Sequence, residues 1–168
     1  DVIALMETDN YCSVSLSLVE IFESGNHCVI KDGTLKSVLD KDSVNSFLEN
    51  HKNGKYFFDH LKISYHHPIC VRSSDWFGVG GYANNWDENF ASGYSMDDYF
   101  AYKLFMKHEG KKPPVLCNKS FVFHESSASM NRLSGEIRNN NNLDKFKDAT
   151  GMDIMYFRSQ IGCGREIK

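Results

Sequence analysis

Val79-Gly80-Gly81-Tyr82 opens a stretch that runs through Trp86-Asp87-Glu88-Asn89-Phe90 to Met96-Asp97-Asp98-Tyr99-Phe100, and on to Phe121-Val122-Phe123-His124. A paired-glycine turn leads into a loop rich in aromatics and acids. Two adjacent carboxylates then open a helix, and a strand ends on a lone histidine. Turn, loop, helix and strand in this order are pieces of an α/β fold. The helix is the clearest of them. Ala101, Leu104, Phe105 and His108 share one face over 95–108, Ser95 and Asp98 have capping-box spacing, and Gly110 closes the end. The loop between Tyr82 and Tyr94 is long for a compact domain, where such loops tend to carry function or move.

Working outward, Val2-Ile3-Ala4-Leu5-Met6 reads as a buried parallel strand ending at Glu7-Thr8-Asp9-Asn10. Such a strand seldom starts a fold alone, so elements are expected before residue 1. Val14, Leu16, Leu18, Val19 and Phe22 predict a helix over 13–23 stopped by Gly25. A short strand over 27–30, a helix over 43–51, a strand over 65–71 and a short helix over 73–77 follow. Pro113-Pro114 feeds a strand or strand pair at 115–116 and 120–123. Asn139 to Asn142 is a polar linker, and Phe146, Ala149, Met152 and Tyr156 mark a helical tail interrupted by Gly151. The expected organisation is one domain over 1–168, with 139–168 as linker and tail, in an α/β sandwich.

Composition narrows the function classes. The chain has 168 residues, 41% hydrophobic, with room for a real core. Its formal charge is −3 and its basic residues are dispersed, so no nucleic-acid footprint is present. Apolar runs fall far short of the ~18 residues of a membrane span. Cys12, Cys28, Cys70, Cys117 and Cys163 form no CxxC pair and no zinc-type cluster. Their odd number argues for a reducing compartment and for buried thiols acting as small hydrophobes. The expected location is cytoplasmic, with membrane association left open.

Several side chains invite a chemical reading beside a structural one. Glu7-Thr8-Asp9, at the carboxyl edge of a strand, suits a hard cation such as Mn²⁺ or Mg²⁺, which takes oxygen ligands and bridges to phosphates. The same residues also suit a turn in which Asp9 or Asn10 caps a helix. Asp98 fits helix capping, favoured by the macrodipole. Asp97 is then left over as a carboxylate able to take a proton from a hydroxyl. His124 is either a ligand or an edge histidine bonded to backbone. Arg72 follows a strand and can meet a phosphate or carboxylate. Trp86 can stack on a sugar ring or fold back on the core.

Together, residues 65 to 124 resemble the C-terminal half of the GT-A glycosyltransferases, the family-2-like nucleotide-sugar enzymes and the related galactosyltransferase C-terminal region. The matching residues are Ile69-Cys70-Val71-Arg72, Trp76-Phe77, Val79-Gly80-Gly81-Tyr82, Asp87-Glu88-Asn89-Phe90, Gly93, Met96-Asp97-Asp98-Tyr99-Phe100 and Phe121-Val122-Phe123-His124. Glu7-Thr8-Asp9 then resembles the family's Asp-x-Asp motif. The family pattern has Glu where Met96 stands, a further Asp at Tyr99 and Asp at Glu7.

The resemblance implies a partial GT-A (nucleotide-diphospho-sugar transferase-like) α/β/α sandwich with a mixed sheet, its nucleotide-binding part lying before residue 1. It implies inverting, metal-assisted transfer of a sugar from a nucleotide-sugar donor to a glycan or other hydroxyl acceptor. Asp97 would be the catalytic base, and Glu7, Asp9 and His124 would hold Mn²⁺ or Mg²⁺. Trp86, Gly80, Gly81, Asp98 and Arg72 would line the substrate side. Two alternatives stand beside it: a non-catalytic carbohydrate-binding or degenerate glycosyltransferase-like domain, and a metal-dependent hydrolase using Glu7, Asp9, Asp97 and His124.

Overall fold

A computed structural model describes residues 1–20, 29–31, 41–51, 61–65, 68–81, 96–124 and 142–167. The described chain is mixed α/β: α1 (Val2–Glu7), β1 (Val14–Glu20), β2 (Val29–Lys31), α2 (Lys41–His51), β3 (Ile69–Cys70), α3 (Ser73–Gly78), α4 (Met96–Lys107), β4 (Val115–His124), α5 (Asn142–Thr150) and α6 (Ile154–Gln160).

Two expectations near the N-terminus are overturned. Val2 to Met6 forms helix α1, not a strand. Val2, Leu5 and Met6 fall at i, i+3 and i+4, one helical face, and that face packs on Val14, Val115 and Cys117. Ile3 points outward, 64% exposed. A run of five apolar residues fits either period, and the length of the run could not decide.

The expected helix over 13–23 is strand β1. Val14 and Leu16 alternate with Ser13, Ser15 and Ser17, a period of two that the apolar spacing had masked. All three serines are buried. Ser15 Oγ donates to Ser64 O (3.1 Å) and Ser17 Oγ to Cys117 O (3.4 Å), so these hydroxyls are not left unsatisfied.

Strand β1 is the hub of a mixed sheet. Along its whole length it pairs in parallel with β4, from Val14↔Val115 to Glu20↔His124. Its other edge is shared, antiparallel to β3 near the start (Val14↔Cys70) and parallel to β2 near the end (Leu18↔Val29 to Glu20↔Lys31). Among the described residues the sheet therefore has four strands standing three abreast. Strand β4 runs through Val115–His124 as one strand, the first of the two options expected there. Its register jumps from Leu16↔Cys117 to Ser17↔Phe121, leaving Asn118, Lys119 and Ser120 as an insertion in the ladder.

Beyond β4, Lys62 bridges antiparallel to both Leu116 and Glu166. Ile167 N–H donates to Leu61 O (2.9 Å) and Ile63 N–H to Arg165 O (3.1 Å), so the chain's last described residues close this flank.

Helix α4 joins the sheet to the C-terminal helices. Phe100 and Leu104 pack with Cys12, Ile69, Val71, Trp76 and Val79. Ala101, Tyr102 and Phe105 pack with Tyr65, Phe146, Ile154 and Phe157. Its end matches expectation: Gly110, at φ 72°, donates its N–H to Phe105 O (2.9 Å). Helix α6 starts on Asp153, whose carboxylate accepts from the N–H groups of Met155 (2.8 Å) and Tyr156 (3.1 Å). The helical tail expected beyond the linker in 139–168 is thus two helices, broken at Gly151 with φ 69°. The helices expected over 43–51 and 73–77 are present as α2 and α3. The loop over 82–94, Ser95 and Asn139 to Asn141 lie outside the described residues. Among the described residues no helix is long and apolar enough to cross a membrane.

Candidate functional site

The two ends of α4 carry most of the candidate side chains. At its head, Asp98 turns inward and is buried. Arg158 of α6 grips it with both arms, Nε to Oδ1 at 2.8 Å and Nη2 to Oδ2 at 2.9 Å. Tyr65 O–H donates to Oδ1 at 2.5 Å. Burial, and next the neighbouring Asp98 charge, push the Tyr65 phenol far above its ordinary range. The hydrogen bonds Arg158 donates to Asp98 likewise hold its guanidinium protonated. Asp98, expected on the substrate side, has its carboxylate fully engaged in holding α4, α6 and the 61–65 segment together. Asp97, one residue earlier, stays partly exposed on the first turn of α4.

The glycine turn is built as expected, and the reason for its glycines is visible. Gly80 and Gly81 have φ of 77° and 54°, where L side chains are strained. A Cβ at Gly81 would sit 2.8 Å from the Trp76 indole, which itself packs on Phe100 with ring centroids 5.1 Å apart. Lys103 of α4 closes the turn, donating from Nζ to Val79 O (2.8 Å) and Gly81 O (2.9 Å). Its ammonium lies 5.3 Å from the Tyr99 ring centroid. Burial lowers the Lys103 pKa. Nothing in the sequence spacing had singled Lys103 out; a lysine three residues past a pair of aromatics is not a recognisable signal.

At the foot of α4 lies a charged group. Arg72, just before α3, donates from Nη1 to Tyr11 O (3.0 Å) and from Nη2 to Met6 O, and pairs with Asp9 Oδ1 at 3.0 Å. Lys112 Nζ takes the other oxygen of Asp9 at 2.7 Å. The hydrogen bond from Lys112 is the main reason the Asp9 carboxyl lies below its usual range. Asp9 itself has φ 59° and is 66% exposed. Next to this group, buried Asp75 meets Lys107 at 3.0 Å, and His108 Nε2 lies 3.1 Å from Oδ2 without hydrogen-bond alignment.

These positions test the expected metal set. Because α1 is a helix, Glu7 is its last residue and Asp9 follows its end, near the start of β1 and not at a strand's carboxyl edge. His124 closes the far end of β4, opposite Glu20. Six residue steps separate Val14 from Glu20, about 20 Å at ~3.3 Å per residue. A divalent ion needs ligands at about 2–2.6 Å, so Glu7, Asp9 and His124 do not hold one ion together. Both oxygens of Asp9 already face cations. Among the described residues no group of three or more His, Cys, Asp or Glu side chains is placed to hold a metal.

Asp97 is not beside Asp9 either. Asp9 feels the charge of His108 at the foot of α4, and Asp97 stands at the head, roughly 16 Å away at ~1.5 Å per residue. Trp86 lies outside the described residues. The structure therefore assembles Arg72 with Asp9, and Gly80-Gly81 with α4, but leaves His124 and Asp97 away from the Glu7–Asp9 turn.

No family model matches the chain, and no curated protein or solved structure does either.

Proposed function

We propose that this chain is the acceptor-side portion of a GT-A type glycosyltransferase, with Asp97 as the base that takes the acceptor's proton while the hydroxyl attacks the anomeric carbon with inversion. The division of labour between two adjacent aspartates carries this reading. Asp98 is buried and spent on Arg158 and Tyr65, which fixes the first turn of α4. Asp97, on that same first turn, is partly exposed. A positioned base of this kind contributes about 10²–10⁴-fold to rate. The glycine turn is tied to α4 through Lys103. The donor is a nucleotide-activated sugar and the acceptor a glycan or other hydroxyl. The Glu7–Asp9 turn takes no part, since its charges are engaged at the other end of α4.

Transfer from a panel of nucleotide sugars to glycan acceptors is the test. Asp97→Asn should lower turnover at least 100-fold while the thermal midpoint and donor binding stay put. Turnover surviving that change would refute the base assignment. A second reading, a carbohydrate-binding domain without turnover, draws on the scattering of Glu7, Asp9 and His124. It predicts glycan binding by the wild-type protein with no transfer under any donor. The hydrolase alternative needs Glu7, Asp9, Asp97 and His124 in one pocket, and the separation of Asp97 and His124 from the Glu7–Asp9 turn leaves it without support.

A further inference from the structure

Helix α3 is held to the foot of α4 by a contact that the candidate site does not use. The helix has six residues, Ser73–Gly78, too few to be stable alone, so its place depends on what grips it. Two lysines of α4 do so: Lys103 through Val79 O and Gly81 O, and Lys107 through Ser74 O (2.9 Å) and Asp75 Oδ1 (3.0 Å). The third grip is unfinished. Asp75 Oδ2 lies 3.1 Å from His108 Nε2 and both atoms are buried, yet neither has a hydrogen-bond partner. Buried polar atoms in folded proteins are nearly always paired.

We propose that Asp75 and His108 form a pH-sensitive latch, which tightens α3 and the Val79–Gly81 turn it leads into onto the foot of α4 when the imidazole is protonated. A neutral imidazole carries one N–H. With that proton on Nδ1, Nε2 turns a lone pair toward those of Oδ2; with it on Nε2, a small ring rotation gives a bond from a neutral donor. The imidazolium has protons on both nitrogens, so Nε2 must donate, and a bond between two charges is roughly twice as strong.

The charges around His108 come from several elements. Asp75 of α3 favours the imidazolium, as does Asp9 of the turn after α1, whose own carboxyl is lowered in part by the His108 charge. His108 follows the last residue of α4 and donates its backbone N–H to Leu104 O (3.2 Å), which places it at the negative end of that helix. Lys107 opposes, and so do Arg72 and Lys112, both of which Asp9 pairs with. Glu109 and Lys111, its chain neighbours, pair with each other in solvent. Cys12, close enough to feel the Asp75 charge, adds none of its own, because burial pushes its thiol up to about 11. Imidazole is the side chain that ordinarily changes charge between pH 5 and 8. The latch is closed at the acid end of that window and released as pH rises through it. It concerns the seating of α3 and is independent of the base assignment at Asp97.

The experiment is amide hydrogen exchange of the full chain, followed by NMR from pH 5.5 to pH 8, each rate corrected for the intrinsic pH dependence of exchange. In α3 the amides of Trp76 and Val79 donate to Arg72 O and Asp75 O. Their protection should rise at least fivefold from pH 8 to pH 5.5 in wild type, while the α6 amides of Phe157 and Ile161 stay level. His108→Gln keeps a polar side chain without the titration and should make the α3 profile flat, and Asp75→Asn should do the same. Circular dichroism shows whether each variant is folded. Flat α3 protection in wild type, which needs no variant to read, would overturn the proposal, as would a rise that persists in folded His108→Gln.

Discussion

Asp98 and Asp9 are both held by an arginine distant in sequence, yet they sit at opposite ends of α4 in opposite environments. Asp98 is 4% exposed at its side chain, met by a two-pronged guanidinium and a phenol beside a cluster that includes Phe157 and Ala101. Asp9 is 66% exposed, shared between Arg72 and Lys112 on a surface turn. The ion-pair inventory is similar and the energetic meaning is not. In water an ion pair is nearly neutral in free energy, whereas a buried charge that loses its partner is left with a desolvation cost and no compensation.

The largest test of this contrast is Arg158→Met. It leaves Asp98 buried and unpaired, and should cost about 3–5 kcal/mol in urea denaturation. Adding Asp98→Asn to that variant should return part of the loss, with a coupling of about 1–3 kcal/mol, because the stranded charge is gone. A single-variant loss below about 1 kcal/mol would place the head of α4 in the same class as its foot and erase the contrast.

Asp75 sits between the two extremes, buried but close to the surface turn. Burial pushes its carboxyl up, while the hydrogen bond from Lys107 and the neighbouring His108 and Lys107 charges outweigh this and hold it below the usual carboxylate range. A folded-state pKa below the unfolded one, near 3.9, means the unfolded chain binds the proton more readily. The stabilisation is therefore complete above that unfolded value and is lost as pH falls through the folded one. The stability of Asp75→Asn, measured by denaturant midpoints from pH 7 down to pH 3, should be lower at neutral pH and should fall less steeply in acid. Parallel curves for the two proteins would show that Asp75 contributes nothing to the acid limb.

The contrast also shows why parts of the molecule were legible in the sequence and others were not. Helix α4, its glycine stop and the Gly80–Gly81 turn follow from local rules, since the face Ala101–Leu104–Phe105 and the positive φ positions need no distant partner. That Asp98 has a structural task was legible in outline, because capping spacing marked it as structural. Its partners, Tyr65 and Arg158, lie 33 and 60 positions away and leave no local trace. The N-terminal readings failed for a different reason. Val2 to Met6 and Val14 to Val19 are short apolar runs in which helical and strand periods overlap, and only packing against Val115 and Cys117 decides between them. That one exchange of helix for strand moved the supposed metal motif from the carboxyl edge of the sheet to its opposite end.

The smallest expected effect belongs to Asp9→Asn, and its smallness is the point. Asp9 joins two cations, Arg72 and Lys112, but Arg72 is already held by the carbonyls of Met6 and Tyr11, so its position does not depend on the carboxylate. Lys112 loses one exposed contact and gains water. The denaturation midpoint should be unchanged within error, and should respond to added salt only marginally differently from wild type, since an exposed pair is screened over a Debye length of about 10 Å at 0.1 M. A measurable loss of stability would mean that the two cations repel each other strongly enough to need the carboxylate between them, making the foot of α4 an electrostatic clasp comparable to its head.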